Sequence, residues 1–281
     1  MEINVYMGYD TVTLQKGENN IGNNYIPSYN DPKLEWTIPK PAVGSIFSQF
    51  INENTSKTSV FDPQWTPNTV AFSRGDGAFI NSPIDTEIIL FGKIPIGAIT
   101  TTFTNKNNFS TYRLIASKFP VGGLLTSELK FTPNSGDIVY KPTTQAGVNK
   151  YEVYLYDLLL GGWWPNEPTI PKNTAFLYRS LTPRSLSWTQ RSSPVIVGPT
   201  DSRSFGIFDL GKDSFTRKNL LQVWVTQKAG ENASFQYSTD NGVSWTEFSG
   251  WGPPSVDQTT SAYWTVAEWA KSGLIRVHLT K

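Results

Sequence analysis

Short apolar runs punctuated by glycine, proline and asparagine follow one another along the whole chain. Runs of roughly four to eight residues, rich in β-branched and aromatic side chains, predict strands rather than helices. Glu87-Ile88-Ile89-Leu90-Phe91-Gly92 is such a run, bounded by turn residues on both sides. Lys150-Tyr151-Glu152-Val153-Tyr154-Leu155-Tyr156 alternates instead, with Tyr151, Val153 and Leu155 on one face and Glu152, Tyr154 and Tyr156 on the other. Residues 112–116, 137–141, 175–179 and 185–189 read as further strands, and 142–149 as a hairpin connection. Residues 44–50 read as a short strand or a helical turn. Beyond 200, strands are expected at 220–226, 233–237, 245–248 and 274–279, with one short helix at 265–271.

The pattern recurs. Gly44-Ser45-Ile46-Phe47 returns as Gly136-Asp137-Ile138-Val139, and Trp65-Thr66-Pro67-Asn68 as Trp164-Pro165-Asn166. Asn19-Asn20-Ile21 matches Asn107-Asn108-Phe109, and Ala78-Phe79 matches Ala175-Phe176. These matches imply a tandem unit of roughly 90 residues with small loop insertions. What repeats is turn chemistry and packing, not acids, bases or ligands. The expected organisation is therefore a β-rich unit at 1–100, a related unit at 101–192, and a small β-sandwich at 201–281 after a Ser/Pro/Gly-rich linker at 192–200.

Composition narrows the function classes. The 14% aromatic content is high and the 17% charged content low, so Asn, Thr and Ser carry the polarity. A net charge of +1 gives no electrostatic footprint for nucleic acid or an anionic membrane. The absence of cysteine excludes disulfides, thiolate catalysis and cysteine-ligated metals. It suits a protein assembled in a reducing cytosol and then exposed outside. Met1-Glu2-Ile3-Asn4-Val5 carries no basic segment or long apolar run, so no secretion signal is expected, and no apolar stretch is long enough to predict a membrane span.

The second unit resembles a domain of surface and secreted proteins from Verrucomicrobia and related bacteria. The residues that carry the likeness are Gly92-x-Ile94-Pro95-x-Gly97, Phe119-Pro120-x-Gly122-Gly123 and Asn134-Ser135-Gly136-Asp137-x-Val139-Tyr140-Lys141. Tyr156-Asp157-x-x-Leu160-Gly161-Gly162-Trp163, Pro165-x-Glu167-Pro168 and Ala175-Phe176-Leu177-Tyr178-Arg179 continue it. The likeness covers residues of about 88–191, with a weaker echo in the first unit. It implies a β-rich surface module and brings no catalytic residues. The chain departs from it at Lys172-Asn173-Thr174, where the family tends to have a Gly-Glu turn, and in lacking the family's signal peptide.

Few residues are candidates for chemistry. Ser238-Thr239-Asp240-Asn241-Gly242-Val243-Ser244-Trp245 looks like an Asp-box, a hairpin in which Asp240 accepts turn N–H groups, Gly242 takes positive φ and Trp245 packs beneath. His278 is the only histidine, so a two-imidazole metal site is excluded, and no nucleophile elbow accompanies it. Asp137, Asp157, Asp240 and Asp257 are oxygen ligands for a calcium ion in principle, but they are scattered and form no calcium-loop motif. Arg74-Gly75-Asp76 spells an adhesion tripeptide, yet Gly75 and Gly77 stand where the repeat needs a tight turn. Trp163 and Trp251 are the expected contact aromatics, because Trp164 is matched by Trp65 and so reads as packing.

These readings converge on an all-β, non-enzymatic structural or interaction protein with neither cofactor nor metal. The expected setting is a bacteriophage virion (capsid decoration, neck, tail or fibre), with other protein subunits as partners and homo-oligomers as the default. The alternative is a bacterial cell-surface module that binds carbohydrate or acts in adhesion.

Overall fold

The computed structural model describes residues 2–27, 32–52, 55–94, 97–103, 111–145, 148–181, 186–191, 205–212, 215–240, 242–267 and 270–281. The expected linker at 192–200, together with Asn107, Asn108, Phe109, Pro95 and Asn241, lies outside them. Among the described residues the fold is all-β, with one short helix, α1 (Leu34–Thr37). The first group of strands is β1 (Glu2–Leu14), β2 (Gly17–Gly22), β3 (Ile46–Asn52), β4 (Thr55–Phe61), β5 (Trp65–Thr66), β6 (Gly77–Ser82) and β7 (Thr86–Lys93). The second is β8 (Ala98–Phe103), β9 (Thr111–Ala116), β10 (Gly123–Leu124), β11 (Ile138–Gln145), β12 (Val148–Asp157), β13 (Gly162–Trp164), β14 (Thr169–Ile170), β15 (Ala175–Ser180) and β16 (Leu186–Arg191). The third is β17 (Phe205–Lys212), β18 (Asn219–Gln227), β19 (Asn232–Ser238), β20 (Thr246–Trp251), β21 (Gln258–Val266) and β22 (Ser272–Thr280).

The first two groups repeat one topology. The sheet β2-β6-β3-β4-β5 has its counterpart in β9-β15-β11-β12-β13, and β1 pairs with β7 as β8 pairs with β16. The entry to the central hairpin repeats bond for bond. Gly44 N–H donates to Phe61 O and Phe61 N–H to Ser45 O, and Gly136 N–H donates to Tyr156 O and Tyr156 N–H to Asp137 O. Gly44 and Gly136 both have positive φ, +89° and +94°, which a Cβ would strain. Phe47 and Val139 then point into the two cores.

Strand pairing corrects part of the sequence alignment. Phe47 faces Ile80 across the ladder as Val139 faces Tyr178, so Ala78 is equivalent to Phe176 and Phe79 to Leu177. The match of Ala78-Phe79 with Ala175-Phe176 is therefore one residue out of register. Side chains alternate across a strand, so that slip exchanges faces. Ala78 and Phe176 both line unit cores, whereas Phe79 and Leu177 both meet at the contact between units. By the same pairing Asn19 corresponds to Arg113 on β9.

The two units pack about an approximate internal two-fold axis. Gly22 N–H donates to Asn173 O over 2.8 Å, and the equivalent Ala116 N–H donates to Gly75 O over 2.9 Å. A Cβ on Gly22 would stand 2.5 Å from Ala116 Cβ, and one on Gly77 would stand 2.4 Å from Ala175 Cβ. These pairs are mates under the repeat, and the glycines let the backbones touch. Fully buried Asn24 stitches the contact, accepting from Asn173 N–H and donating to Ser117 O. The contact is isologous, like the interface of a symmetric dimer, within one chain.

The third group is not independent of the first. β1 runs antiparallel to β22 from Glu2↔Thr280 to Asp10↔Ser272, inside the sheet β20-β19-β22-β1-β7. That sheet packs on β17-β18-β21. The ribbon β1–β7 thus serves two cores: Met7, Tyr9, Ile89 and Phe91 face the sandwich, and Leu14, Ile88 and Leu90 face the first unit. The expected split into 1–100 and 201–281 therefore does not describe how β1 and β7 are shared. Residues expected as a helix, Thr265 and Val266, finish β21 instead, paired with Leu220 and Asn219. If the close approach at the axis holds the units together, Gly22→Val will lower unfolding stability by about 1–3 kcal/mol in urea titrations. Gly252→Ala, in open space, will change it little.

Candidate functional site

The internal repeat supplies its own control for function. Equivalent positions on the outer faces of the two sheets are needed for the same fold, so differences between them report other demands. In the first unit the outer face presents Ile46, Ser48, Phe50, Ser56, Thr58, Val60 and Thr66. The equivalent residues of the second unit are Ile138, Tyr140, Pro142, Tyr151, Val153, Leu155 and Trp164. Ser48, Ser56, Thr58 and Thr66 are polar where Tyr140, Tyr151, Val153 and Trp164 are aromatic or aliphatic, whereas Ile46, Phe50 and Val60 are apolar in the first unit as well.

These side chains form a continuous surface. Tyr112, Tyr140 and Tyr151 make a row, with ring centroids 5.9 Å and 6.5 Å apart, and Arg179 Cζ lies 5.1 Å from the Tyr112 centroid. Val153 is 50% exposed and Trp164 61%. At the end of the same hairpin, Leu158-Leu159-Leu160 project from the turn between β12 and β13, and Leu159 is 94% exposed. The turn is built rather than loose. Asp157 Oδ1 accepts from Leu159 N–H over 2.8 Å, Ser135 Oγ accepts from Leu158 N–H over 3.2 Å, and Gly161 takes φ +81°. The corresponding turn of the first unit carries Asp62-Pro63-Gln64, all exposed. The leucines are not required by the turn. Exposed apolar surface of this kind marks contact with another molecule, and Tyr, Trp and Arg are the side chains that dominate such contacts.

Strand pairing corrects the match of Trp164 with Trp65. Phe61 faces Trp65 across its ladder as Tyr156 faces Trp163, so Trp163, not Trp164, is the mate of Trp65. Trp65 is buried and donates from Nε1 to Ile38 O; Trp163 is half-buried and donates to Thr126 Oγ1. Trp164 takes the place of Thr66 and points outward. Trp251 is 45% exposed on β20, at the end of its sheet and opposite Ala233. The leucine tip and the tyrosine row were missed, although three leucines between Asp157 and Gly161 were visible as apolar residues in a turn.

The Asp-box closes its hairpin by local hydrogen bonds. Asp240 Oδ1 accepts from Ser238 Oγ and from Ser244 N–H, Oδ2 accepts from Ser244 Oγ, and Gly242, at φ +90°, donates its N–H to Ser238 Oγ. Hydrogen bonds from Ser244 and Ser238 pull the Asp240 carboxyl down to about 2. Trp245 packs on Tyr6 at 5.9 Å, beneath Arg276 at 4.4 Å, and so joins the hairpin to the core of the first unit.

The remaining candidates are absorbed by structure. In the adhesion tripeptide, Asp76 Oδ2 accepts from Ser73 N–H and Gln49 Nε2 while Gly75 takes φ +87°. Asp137 is buried and accepts from Tyr178 O–H and Asn134 N–H, Asp157 holds the leucine turn, and Asp257 accepts from Ala229 N–H. His278 lies in β22 between Asn4 and Ser234, half-buried. Among the described residues no group of three or more His, Cys, Asp or Glu side chains is placed to hold a metal ion. Compared with known proteins, the chain matches no family model and no curated protein. Function therefore rests on the surface itself. No helix among the described residues is long and apolar enough to cross a membrane.

The Asp240 carboxyl gives a pH signature. Its value is lower in the folded chain than in the unfolded one, so its contribution is complete above the unfolded value and fades as pH falls towards about 2. In thermal unfolding, the stability gap between wild type and Asp240→Asn should be constant from neutral pH to about 5 and close below about 4.

Proposed function

We propose that this chain is a non-enzymatic structural protein that joins an assembly of protein subunits through the outer face of its second unit. The observation that carries this reading is the divergence of the two units. Their turns, cores and topology agree, while Ser48, Ser56, Thr58 and Thr66 on one outer face are matched by Tyr140, Tyr151, Val153 and Trp164 on the other, which also carries the leucine tip. A duplicated unit that keeps its fold and changes one face has been specialised for contact. The side chains with buried carboxylates hold turns and strands together, which supports a scaffold rather than a catalyst. The setting we favour is a bacteriophage virion, as a capsid-decorating, neck, tail or fibre-type component. Its support is the cysteine-free, low-charge tandem β architecture together with this face.

The test is molar mass by light scattering, alongside negative-stain imaging. The wild-type chain should form a discrete oligomer, and Leu159→Glu or Val153→Glu should weaken it by about tenfold or more, since either buries a charge in the contact. Both positions are exposed, so unfolding stability should stay within about 0.5 kcal/mol of wild type. A wild-type chain that remains monomeric at millimolar concentration would refute the reading.

A second reading has its own observation. Trp164 and Trp251 offer exposed indole faces of the sort that stack on sugar rings, which favours a cell-surface carbohydrate-binding or adhesive module. On a glycan array, binding that disappears in Trp164→Ala or Trp251→Ala would establish it. Trp163→Ala should instead cost stability, because that ring packs on Tyr156 at 5.2 Å and on the unit core.

A further inference from the structure

The approximate two-fold axis between the units generates a pair of related clefts, one on each side. The first, of about 240 Å³, is lined by Arg74, Gly75, Asp76, Arg113 and Lys118 together with aromatic side chains. The second, of about 320 Å³, is lined by the repeat mates Lys172, Asn173, Thr174 and Asn19 among others. A cation stands at the same place in each, Arg74 in one and Lys172 in the other. Their surroundings differ. Lys172 is neutralised by an ion pair with the buried carboxylate of Asp10. Arg74 has no ion pair or hydrogen bond from its guanidinium among the described residues, and a second cation, Lys118, is folded over Gly75 beside it.

We propose that the first cleft is a binding site for a compact oxyanion (a phosphate, sulfate or carboxylate group on a small ligand), held by Arg74 and Lys118 with Arg113 at the edge. Arg74 and Lys118 face a single carboxylate, Asp76, which is already engaged by Ser73 N–H and Gln49 Nε2. Partial burial lowers the Arg74 guanidinium from its ordinary value, and burial with the neighbouring Arg74 charge lowers the Lys118 ammonium, outweighing the pull of Asp76. Two like charges held together and partly desolvated cost free energy that an anion between them recovers. Gly75 is what permits the arrangement, since a Cβ there would lie 2.8 Å from Lys118 Cγ. The aromatic rims, Phe50 and Phe103 among them, leave room for an apolar body behind the anionic group.

The cleft is lined by none of the leucine-tip residues and shares Tyr112 with the outer face of the second unit, so its test uses Arg74 and Lys118, which lie outside that face. Inorganic phosphate is titrated at constant ionic strength, balanced with sodium chloride, and binding is read by calorimetry and by the shift in Tm. The expected result is saturable binding that is weakened about tenfold or more by Arg74→Gln or Lys118→Gln. Binding should be unchanged by Lys172→Gln, which alters the twin cleft. Parallel titrations with sulfate and with glucuronate distinguish phosphorylated, sulfated and carboxylated ligands. Without anion, Arg74→Gln should unfold no earlier than wild type, because it removes an uncompensated cation; a clear loss of Tm would mean Arg74 is structural and would overturn the proposal. So would a Tm shift that sodium chloride alone reproduces, or one that Arg74→Gln leaves intact.

Discussion

The ribbon β1–β7 has to be buried on both faces, and the rest of the architecture depends on how that is done. An isolated two-stranded ribbon is marginal in water and needs a sheet to lie on. Here one face closes the core of the first unit through Leu14, Ile88 and Leu90, and the other closes the sandwich through Met7, Tyr9, Ile89 and Phe91. The chain ends are therefore brought together, β1 beside β22, although the whole sequence lies between them. The second unit shows the alternative. Its ribbon β8–β16 covers a core on one face only, with Leu186 and Trp188 inward and Ser187, Thr189 and Arg191 exposed. Two ribbons of the same descent thus carry different patterns, continuous in Ile88-Ile89-Leu90-Phe91 and alternating in Leu186-Ser187-Trp188-Thr189.

Much of this was legible in the sequence, and the errors have identifiable causes. Gly44-Ser45 and Gly136-Asp137 were matched correctly, because a turn that requires positive φ restricts the residue to glycine and so survives divergence. Ala78-Phe79 was matched one residue out, because small and aromatic residues recur on both faces of β6 and β15 and a string comparison does not see the pleat. The same blindness exchanged Trp163 and Trp164. Adjacent residues on a strand face opposite sides, and only the pairing with Tyr156 and Leu155 tells which side is the core. The sharing of β1 between two cores was beyond reach, since nothing in residues 2–14 names β22 as a neighbour. The apolar run 88–91 did carry a hint: a strand without alternation is a strand covered twice.

The divergence between the units separates what a residue does for the fold from what it does at the surface. Phe61–Trp65 and Tyr156–Trp163 keep the same edge-to-face ring contact, at 5.4 Å and 5.2 Å, across all the change around them. One strand step away, Thr66 in the first unit is matched by Trp164 in the second. An indole where the other unit has a hydroxyl, at an exposed position, gains nothing for the core, and its exposure is unfavourable in the isolated chain. The same holds for Asp62-Pro63-Gln64 against the leucine tip. Exposed apolar area is a liability unless something covers it.

Asp10 shows how the three parts are kept in register. It is buried on β1, and its carboxylate accepts from Tyr25 O–H of the first unit and from Ser272 Oγ of β22 while pairing with Lys172 of the second unit. Apolar contacts tolerate sliding, whereas a buried carboxylate does not, because losing any one partner leaves a charge or a donor without compensation. The tyrosine hydroxyl beside it is correspondingly hard to ionise, held well above its usual range first by burial and then by the Asp10 charge. Lys172 sits on that carboxylate and so leaves its cleft electrically quiet. Arg74, its mate across the axis, has no such partner among the described residues, and the asymmetry of the two clefts follows from where β1 happens to pass.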